Sequence, residues 1–519
     1  MKDVAAALLG AGVRAAFGVP GSGASLALLS AFEERGAPTA GVAHEAAAVL
    51  MAGGFFRASA SPACAVSIKG PGVGNLLPGL LAARYEQWPI LSASECYGGS
   101  ERVRMHKRLD HAAALAPMVK CYATLGGDPA EVTARLIRCA GGEVPGPAHL
   151  DLASDGGGFV EARPPARAKQ HPPQQLDRIR RSVDAAKRPV VIAGSLAARQ
   201  AWGARLASLR IPVLTTVAAK GVVDEQTAWA AGVFTGAGGA DAPERAVLAE
   251  ADLVVGLGLR ALEVLDVVPF GRPCVVLDAA ADEHANAWEP DAVLSSATRA
   301  QFEELLDALA AREWGAPLVR EVCASLRGRL ARPAWLPGAL FAELEDVFRA
   351  RGTLVVDTGL FCTVAEHVYR AATPQAFLAS ANGRYMGTAL PMALGAALAR
   401  PDRPVVCTVG DGGLPPYLAE LRLAIERRLP LLLLLLSDGG YASVASAISD
   451  ASAASQKLLR VGRPSWLAAV DGMGCAARQA AGLDEFASVV RGWRPDSGPL
   501  FLEARFDPEA YRTMTRGVR

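Results

Sequence analysis

Asp411 and Asp438 are the residues whose setting most invites chemistry. Asp411 lies in Gly410-Asp411-Gly412-Gly413, directly after the apolar run Val405-Val406-Cys407-Thr408-Val409. Asp438 lies in Ser437-Asp438-Gly439-Gly440-Tyr441, directly after a run of leucines. The two are 27 residues apart, the length of one strand-helix-strand unit. A right-handed crossover puts both carboxylates at the same edge of neighbouring parallel strands. Two hard oxygen ligands beside glycines and a helix start suit Mg2+ and a phosphate, because amides hold phosphate oxygens while carboxylates hold the cation. Gly-Asp-Gly alone is an ordinary tight turn. The second Asp at the equivalent strand end turns the reading toward a site.

Glu45 is a second candidate. Gly41-Val42-Ala43 closes a short strand, and His44-Glu45 opens a helix expected over Ala46 to Arg57. Taken alone, a Glu in a first helical turn serves the helix dipole. Two further loops lead from strands into helices, Val19-Pro20-Gly21-Ser22-Gly23 and Ile68-Lys69-Gly70-Pro71-Gly72-Val73-Gly74-Asn75. The segment Arg102-Val103-Arg104-Met105-His106-Lys107-Arg108 concentrates positive charge, which reads first as a solvated loop.

The elements that must carry these residues follow an α/β pattern. In the first third, runs at Ala15–Val19, Ala40–Ala43, Cys64–Ile68, Ile90–Ala93 and Ala148–Leu152 alternate with helix-length segments. The middle third repeats this with Pro189–Ala193, Pro212–Thr215, Leu253–Gly256 and Cys274–Leu277, and the last with Thr353–Val356, Val405–Val409, Leu431–Leu436 and Leu500–Ala504. Pro415-Pro416 fit the first turn of a helix expected over Tyr417 to Arg427. Connectors are expected at Glu161 to Gln175 and at Arg327 to Pro337. The 519 residues thus divide into three doubly wound parallel-sheet domains, 1–165, 180–315 and 335–519. In such sheets ligands sit beyond the carboxyl ends of the strands.

Composition excludes several classes. Lys+Arg 53 against Asp+Glu 52 gives a net charge of +1, so nothing global favours nucleic acid or a membrane surface as partner. With 51% hydrophobic and 20% charged residues the chain is far from disorder. The apolar run Leu429 to Leu436 is too short to cross a membrane and reads as a buried strand. The amino terminus reads as the first amphipathic helix, not a signal sequence. The nine cysteines are scattered, without CxxC or a Cys/His cluster at metal-ligand spacing, and most read as buried small hydrophobes in a reducing, cytoplasmic setting. No strand is followed by GxGxxG with an acid ~20 positions on, which disfavours a nicotinamide-dependent dehydrogenase.

In order along the chain, the PGS loop, HEAAAVLMAGGFFR, KGPGVGN, RPVVIAG, KGVV, RYMGTALPMALGAALA, GDGG and SDGGYAS resemble the thiamine diphosphate-dependent enzymes of the acetolactate synthase and benzoylformate decarboxylase type. The resemblance spans nearly the whole chain. It implies pyrimidine-binding, central and diphosphate-binding domains in that order, and a homo-oligomer, dimer or tetramer, with each active site between two subunits. It further implies that Asp411, Asp438 and the Gly440 carbonyl ligate Mg2+. Gly412 and Gly413 would give amides to the diphosphate, with Gly410, Tyr441 and Ala442 around it. Met386 would support the bent cofactor and the Arg384 backbone would accept from its aminopyrimidine. Glu45 would bond the pyrimidine ring nitrogen, favouring the tautomer that removes the thiazolium C2 proton. The implied reaction is decarboxylation of a 2-oxo acid. Transfer to a second carbonyl, as in acetolactate synthases, is favoured, with simple protonation to an aldehyde as the alternative, so transferase and lyase chemistry both stay open.

Several positions depart from the family. Asp438 stands where Asn is usual, and Gly359-Leu360-Phe361 where acetolactate synthases have Gly-Gln-His, leaving Cys362 or Thr363 to supply the polar contact. These departures support a second alternative, a catalytically silent regulatory homologue. The histidine pair of pyruvate decarboxylases is absent, leaving His44 and His106 as candidate acids. Ser22 matches the serine of the PGS loop, with a catalytic or substrate contact and a helix cap both open. Lys69 is a further substrate candidate. Lys107 falls where acetolactate synthases carry a Gln, and Lys107 or Arg108 would pair with a second anionic group on the substrate. Leu257-Gly258-Leu259-Arg260 is similar to the loop that binds FAD in acetolactate synthases, but without a strong glycine fingerprint a scaffold role is favoured over FAD.

Overall fold

The computed structural model describes residues 1–98, 101, 103, 105–153, 158–160, 173–280, 287–448, 452–462 and 464–519. Three α/β units follow one another. The first sheet orders its strands Thr39–Gly41, Ala16–Gly18, Cys64–Ser67, Leu91–Glu95, Ala148–Leu152, Cys121–Thr124 and Gly158–Val160. Its first six are parallel, and Gly158–Val160 joins the edge antiparallel. The second sheet runs Ala230–Val233, Val213–Thr215, Pro189–Ala193, Leu253–Leu257, Cys274–Leu277, Ala292–Leu294. The third runs Phe377–Ala379, Thr353–Val356, Val405–Gly410, Leu431–Ser437, Leu500–Arg505, Ala476–Ala480, and the last two sheets are parallel throughout.

The central strand Leu431–Ser437 is buried at every position, as a strand covered by helices on both faces must be. The expected strands all exist, with ends shifted by one or two residues. The short strands Cys121–Thr124, Gly158–Val160, Ala230–Val233, Ala292–Leu294, Phe377–Ala379 and Ala476–Ala480 were outside the expected set. Three expectations are corrected. Helix Ala316–Leu330 runs through Arg327 and ends at Leu330, so the connector to helix Pro337–Phe348 is shorter than the sequence implies. Residues 161–172 of the first connector lie outside the described residues, but Pro173 to Gln175 already form the first turn of helix Pro173–Ala185. The helix expected from Tyr417 is instead a 3-10 segment Pro415–Glu420, kinked at Tyr417, followed by α-helix Leu421–Arg427.

The cysteines are also corrected at one pair. Cys121 opens a strand and Cys139 lies near the end of helix Pro129–Gly141, and the strand-turn-helix packing closes a disulfide between them across 18 residues. Cys64, Cys274, Cys362, Cys407 and Cys475 are buried thiols, while Cys96 and Cys323 are part-exposed. Among the described residues no helix is long and apolar enough to cross a membrane.

Two Ala/Gly-rich helices tie the first unit to the third. Glu45–Ser59 is buried at twelve positions and crosses Ala389–Ala399, itself buried along most of its length. A Cβ at Gly54 would collide with the Met392 carbonyl, and one at Gly395 with the Met51 carbonyl. The backbones themselves touch there, so neither neighbour can yield. Gly54→Ala or Gly395→Ala is therefore expected to destabilise the protein by about 2 kcal/mol or more, whereas Gly10→Ala, with open space around it, is not; urea denaturation would measure both.

Candidate active site

Strands Val405–Gly410 and Leu431–Ser437 pair in parallel with Gly410 opposite Leu436, so Asp411 falls opposite Ser437. The Asp411 carboxylate is buried, accepting from Ser437 Oγ at 2.8 Å through Oδ1 and from the Gly439 amide at 2.8 Å through Oδ2. The loop after Ser437 is braced from outside, where the Tyr441 amide donates to Leu459 O and the Val461 amide to Gly439 O, each at 2.9 Å. Asp438, Gly439, Gly440, Tyr441 and Ala442 line a cleft of about 990 Å3, whose lining also carries Arg460, Arg512, Arg516 and Arg519.

The Gly410 to Gly413 turn is tight. The Gly413 amide donates to Gly410 O at 3.1 Å, and a Cβ on Gly413 would collide with Asp357. A Cβ on Gly412 would press on the Met386 sulfur and the Tyr441 ring. Met386 is 41% exposed at the end of a turn in which Arg384 has φ 48° and Gly387 φ 86°. Asp357, at the end of Thr353–Val356, accepts the Gly387 amide at 2.9 Å and so ties this turn to the Gly413 turn. Burial pushes its carboxyl up to about 7 against several backbone donors.

Glu45 begins helix Glu45–Ser59 and is buried, with Asn75 Nδ2 donating to its Oε2 at 2.9 Å. His44 is the N-cap, exposed, and its Nδ1 accepts the Ala46 amide at 3.1 Å. The backbone just before Glu45 is held by the third unit: Glu420 accepts the Ala43 amide at 2.9 Å and the His44 amide at 3.1 Å, while Arg422 donates to Gly41 O at 2.8 Å. Burial raises the Glu420 carboxyl against those amides.

Ser22 is exposed and does not cap helix Ala24–Glu33, whose N-cap is Gly23 with no side-chain bond. The serine engaged in that loop is Ser25, which gives its Oγ proton to Glu95 at 2.7 Å and accepts the Gly21 amide at 2.9 Å. Lys69 Nζ lies 3.2 Å from the other oxygen of Glu95 and 4.9 Å above the Tyr97 ring. Burial would raise Glu95, but the bonds from Ser25 and Lys69 more than offset it and hold the carboxyl low. His106, Lys107 and Arg108 are exposed, Lys107 with φ 59° and its carbonyl against Gly70; Arg102 and Arg104 lie outside the described residues.

One group of metal-type donors comes together from distant positions: Cys96, His111 and Asp151 offer atoms within 4.8 Å of one another. Both His111 nitrogens are engaged, Nε2 accepting the Gly70 amide at 3.3 Å and Nδ1 facing Asp151 at 2.7 Å. Asp151 also takes His149 at 3.1 Å and Tyr122. Burial opposes its charge, yet the histidine bonds hold its carboxyl well below the usual range. This is a closed hydrogen-bond network with no nitrogen lone pair left for a metal.

In the central unit the start of helix Ser195–Arg199 is met by Glu263, which accepts the Ser195 amide and Thr216 Oγ1, each at 2.7 Å. Arg260, from the loop compared with an FAD site, is buried in an ion pair with Asp278 at 2.9 Å.

Three parallel α/β units, with carboxylates and glycine turns at strand ends of the third and a buried Glu at a helix start of the first, define a cofactor-dependent enzyme architecture. Family profiles agree: residues 1–114 match the N-terminal TPP binding domain of thiamine pyrophosphate enzymes, 176–304 the central domain and 357–504 the C-terminal TPP binding domain. The chain belongs to the thiamine pyrophosphate enzymes, of the acetolactate synthase type. It is 27% identical to a probable 2-ketoarginine decarboxylase of Pseudomonas aeruginosa over 95% of this chain and 91% of that one. It is 27% identical to a catabolic acetolactate synthase of Raoultella terrigena over 84% and 82%, and 25% identical to an acetolactate synthase of Bacillus subtilis over 96% and 91%. The residues fit such a cofactor. Thr358 Oγ1, Asn382 Oδ1 and Arg384 Nε, all buried around the two turns, have no protein hydrogen-bond partner, and the glycine turn leaves no room for side chains.

Two predictions follow from these contacts. Asp357 ionises near pH 4 when unfolded but only near 7 when folded, so the folded state holds the extra proton between those values. Its contribution to stability therefore falls as pH rises from about 4 to about 7, by up to ~4 kcal/mol. Asp357→Asn removes that slope, and denaturation curves of both proteins without cofactor across this range would measure the difference. Glu420→Ala removes the acceptor of the part-buried Ala43 and His44 amide bonds, which costs about 1 kcal/mol, whereas Glu420→Gln keeps an acceptor and costs less; thermal unfolding would rank them.

Proposed function

We propose that this protein is a thiamine diphosphate- and Mg2+-dependent enzyme that decarboxylates a 2-oxo acid and passes the acyl fragment to a second carbonyl compound. The observation that carries the reading is the buried Asp411 carboxylate bonded to Ser437 and Gly439, directly beside the segment Asp438 to Ala442 that lines one cleft. Asp411, Asp438 and the Gly440 carbonyl are proposed as Mg2+ ligands, an all-oxygen set suited to that ion. Gly412 is the better candidate of its pair for an amide to the diphosphate, since Gly413 already donates to Gly410. Met386 and the Arg384 carbonyl are proposed to seat the pyrimidine. When bound, the cofactor supplies a carbon nucleophile for the ketone and an electron sink for the carboxylate that leaves.

This chain's residues would prepare that step. Glu45 holds or releases a proton at the cofactor's pyrimidine nitrogen, with Asn75 fixing one of its oxygens. Glu420 holds the backbone that aims it. Lys69, part-buried beside its Glu95 partner, is a candidate for the substrate carboxylate, and exposed Lys107 or Arg108 for a second anionic group. His44 and Ser22, both exposed on the same strand-end face, remain candidate proton donors or substrate contacts.

Every residue lining the cleft comes from 438 onward, so neither Glu45 nor Asp411 lines it, while Asp411 is bonded to Ser437 and Gly439 at the start of that lining segment. Large apolar side chains are exposed in both units, Leu26, Val103, Met105 and Leu109 in the first and Met386, Val444, Ile448 and Leu458 in the third. These exposed apolar side chains support a homo-oligomer in which Glu45 of one copy serves the cleft of another. The domains are proposed as 1–165 for the pyrimidine, 180–315 as scaffold without FAD, and 335–519 for the diphosphate. Glu263 supports the scaffold role, because it puts an internal carboxylate where a dinucleotide phosphate would meet the helix start. Simple decarboxylation is the second reading, favoured by the likeness to a probable 2-ketoarginine decarboxylase.

Incubation with a panel of 2-oxo acids, with and without aldehyde or keto acid acceptors, should give a coupled product by mass; an aldehyde alone selects the second reading. Glu45→Gln and Asp411→Asn should each lower kcat at least ~100-fold. If sites form between copies, mixing and reassembling the two inactive variants should restore roughly a quarter of wild-type activity, since half the random dimers carry one intact site. No recovery on mixing would place the whole site in one chain.

A further inference from the structure

The turn proposed to seat the pyrimidine is held by a chain of charges that the proposed reaction does not use. Arg384 has left-handed backbone, which costs a non-glycine residue energy and persists only where surroundings impose it. Its side chain is largely buried, with Nη1 2.5 Å from Glu366 Oε1 and 3.2 Å from the Cys362 sulfur. Glu366 is wholly buried, and its other oxygen, Oε2, is bound by Arg519 Nη2. Arg519 Nη1 also donates to Thr363 Oγ1 at 2.6 Å. Thr363 and Cys362 belong to helix Leu360–Val368, whose first residues are the departing Leu360-Phe361, and the contacts open in the sequence are these: Cys362 meets Arg384, and Thr363 meets Arg519.

The segment carrying Arg519 is anchored independently of its side chain. The Gly239 amide donates to Val518 O and the Asp241 amide to Gly517 O, each at 2.8 Å, and Arg329 reaches Met514 O and Arg516 O. Arg519 is thus presented by a fixed backbone at the wall of the cofactor cleft. Lys220 from the central unit donates to the Glu366 carbonyl at 2.9 Å. One carboxylate between two guanidiniums leaves neither oxygen free to rotate away from Arg384. Loss of Arg519 would leave Glu366 a buried oxygen without its charge partner.

We propose that Arg519 is a positioning residue for the cofactor turn, acting through Glu366 to hold Arg384 and thereby the backbone from Arg384 to Met386. This rests on the reading of that turn as the pyrimidine seat. The bidentate reach from Thr363 to Glu366 is a property of the planar guanidinium, which an ammonium reproduces only in part.

The test is backbone amide exchange, followed by mass spectrometry, on the full-length protein without ligand and with thiamine diphosphate and Mg2+. Arg519→Met should speed exchange over Asn382 to Thr388 about tenfold without ligand, with exchange in the first unit near wild type. It should also raise the thiamine diphosphate dissociation constant about tenfold, measured by calorimetry. Arg519→Lys should recover part of both effects, and Glu366→Gln should reproduce the faster exchange. Exchange that rises only over residues 508–519, with cofactor affinity unchanged, overturns the proposal. A wild-type turn whose exchange is not slowed by cofactor overturns the seat reading instead, even if unliganded exchange still follows Arg519.

Discussion

The backbone contact between helices Glu45–Ser59 and Ala389–Ala399 is the constraint on which the rest of the molecule depends. Gly54 against Met392 and Gly395 against Met51 allow the two axes to approach until carbonyls meet Cα atoms. Each helix starts at site residues: Glu45 opens the first, and the Met386 turn leads into the second. Fixing the crossing therefore fixes the relation between the two faces that carry cofactor-directed groups. Larger side chains would pack the same elements at an ordinary helix spacing and shift both starts. The low aromatic content and the abundance of Ala and Gly are the compositional trace of this close packing.

Around that frame the chain uses buried carboxylates as anchors for loop amides. Glu420 holds Ala43 and His44, Asp357 holds Gly387, and Glu263 holds Ser195. Glu86 accepts Ala381 at 3.0 Å and Gly383 at 2.8 Å together with Ser380 Oγ at 2.9 Å, so the turn before Met386 is tied to the first unit as well. Burying a carboxylate is expensive unless it is hydrogen-bonded, and a set of loop amides is a suitable partner. Burial still wins at Glu86, Glu420 and Asp357, whose carboxyls are all raised. At Glu366 the two arginines win instead, and its carboxyl is lowered. The loops that hold a ligand thus need no apolar core of their own.

The legibility of these features in sequence divides along physical lines. The long parallel strands were readable because strands covered on both faces are continuous apolar runs, and Asp411 with Asp438 followed from strand-helix-strand arithmetic. Phe377–Ala379 and Ala476–Ala480 were missed because they are short edge strands; Ala476–Ala480 is mostly exposed and carries polar residues. The anchoring carboxylates Glu86, Asp357, Glu366 and Glu420 were missed for a different reason. Their partners lie far along the chain, up to 377 residues for Glu420, and a lone acid makes no pattern. Asn75 stood inside a noted glycine loop, and only its distance from Glu45 gives it a role. Asp357 carried the one local signal that could have been used, an acid at the strand end adjacent to that of Asp411.

The same anchors bear on why two copies are proposed for one site. Glu45 follows directly on amides pinned to Glu420 of its own chain, and its helix is pinned at Gly54. Both restraints fix where the Glu45 carboxylate stands within its own chain. A rigid half-site on each face is what a two-fold assembly requires: each copy presents both halves, and the symmetry axis closes two equivalent sites at once. Glu420 then acquires a second sense. It lies on the segment that follows the Gly410 to Gly413 turn, while it holds the residues before Glu45, so one short stretch of chain touches both half-sites of its own copy. In such an assembly, the rigidity within each chain is what keeps both composite sites in register.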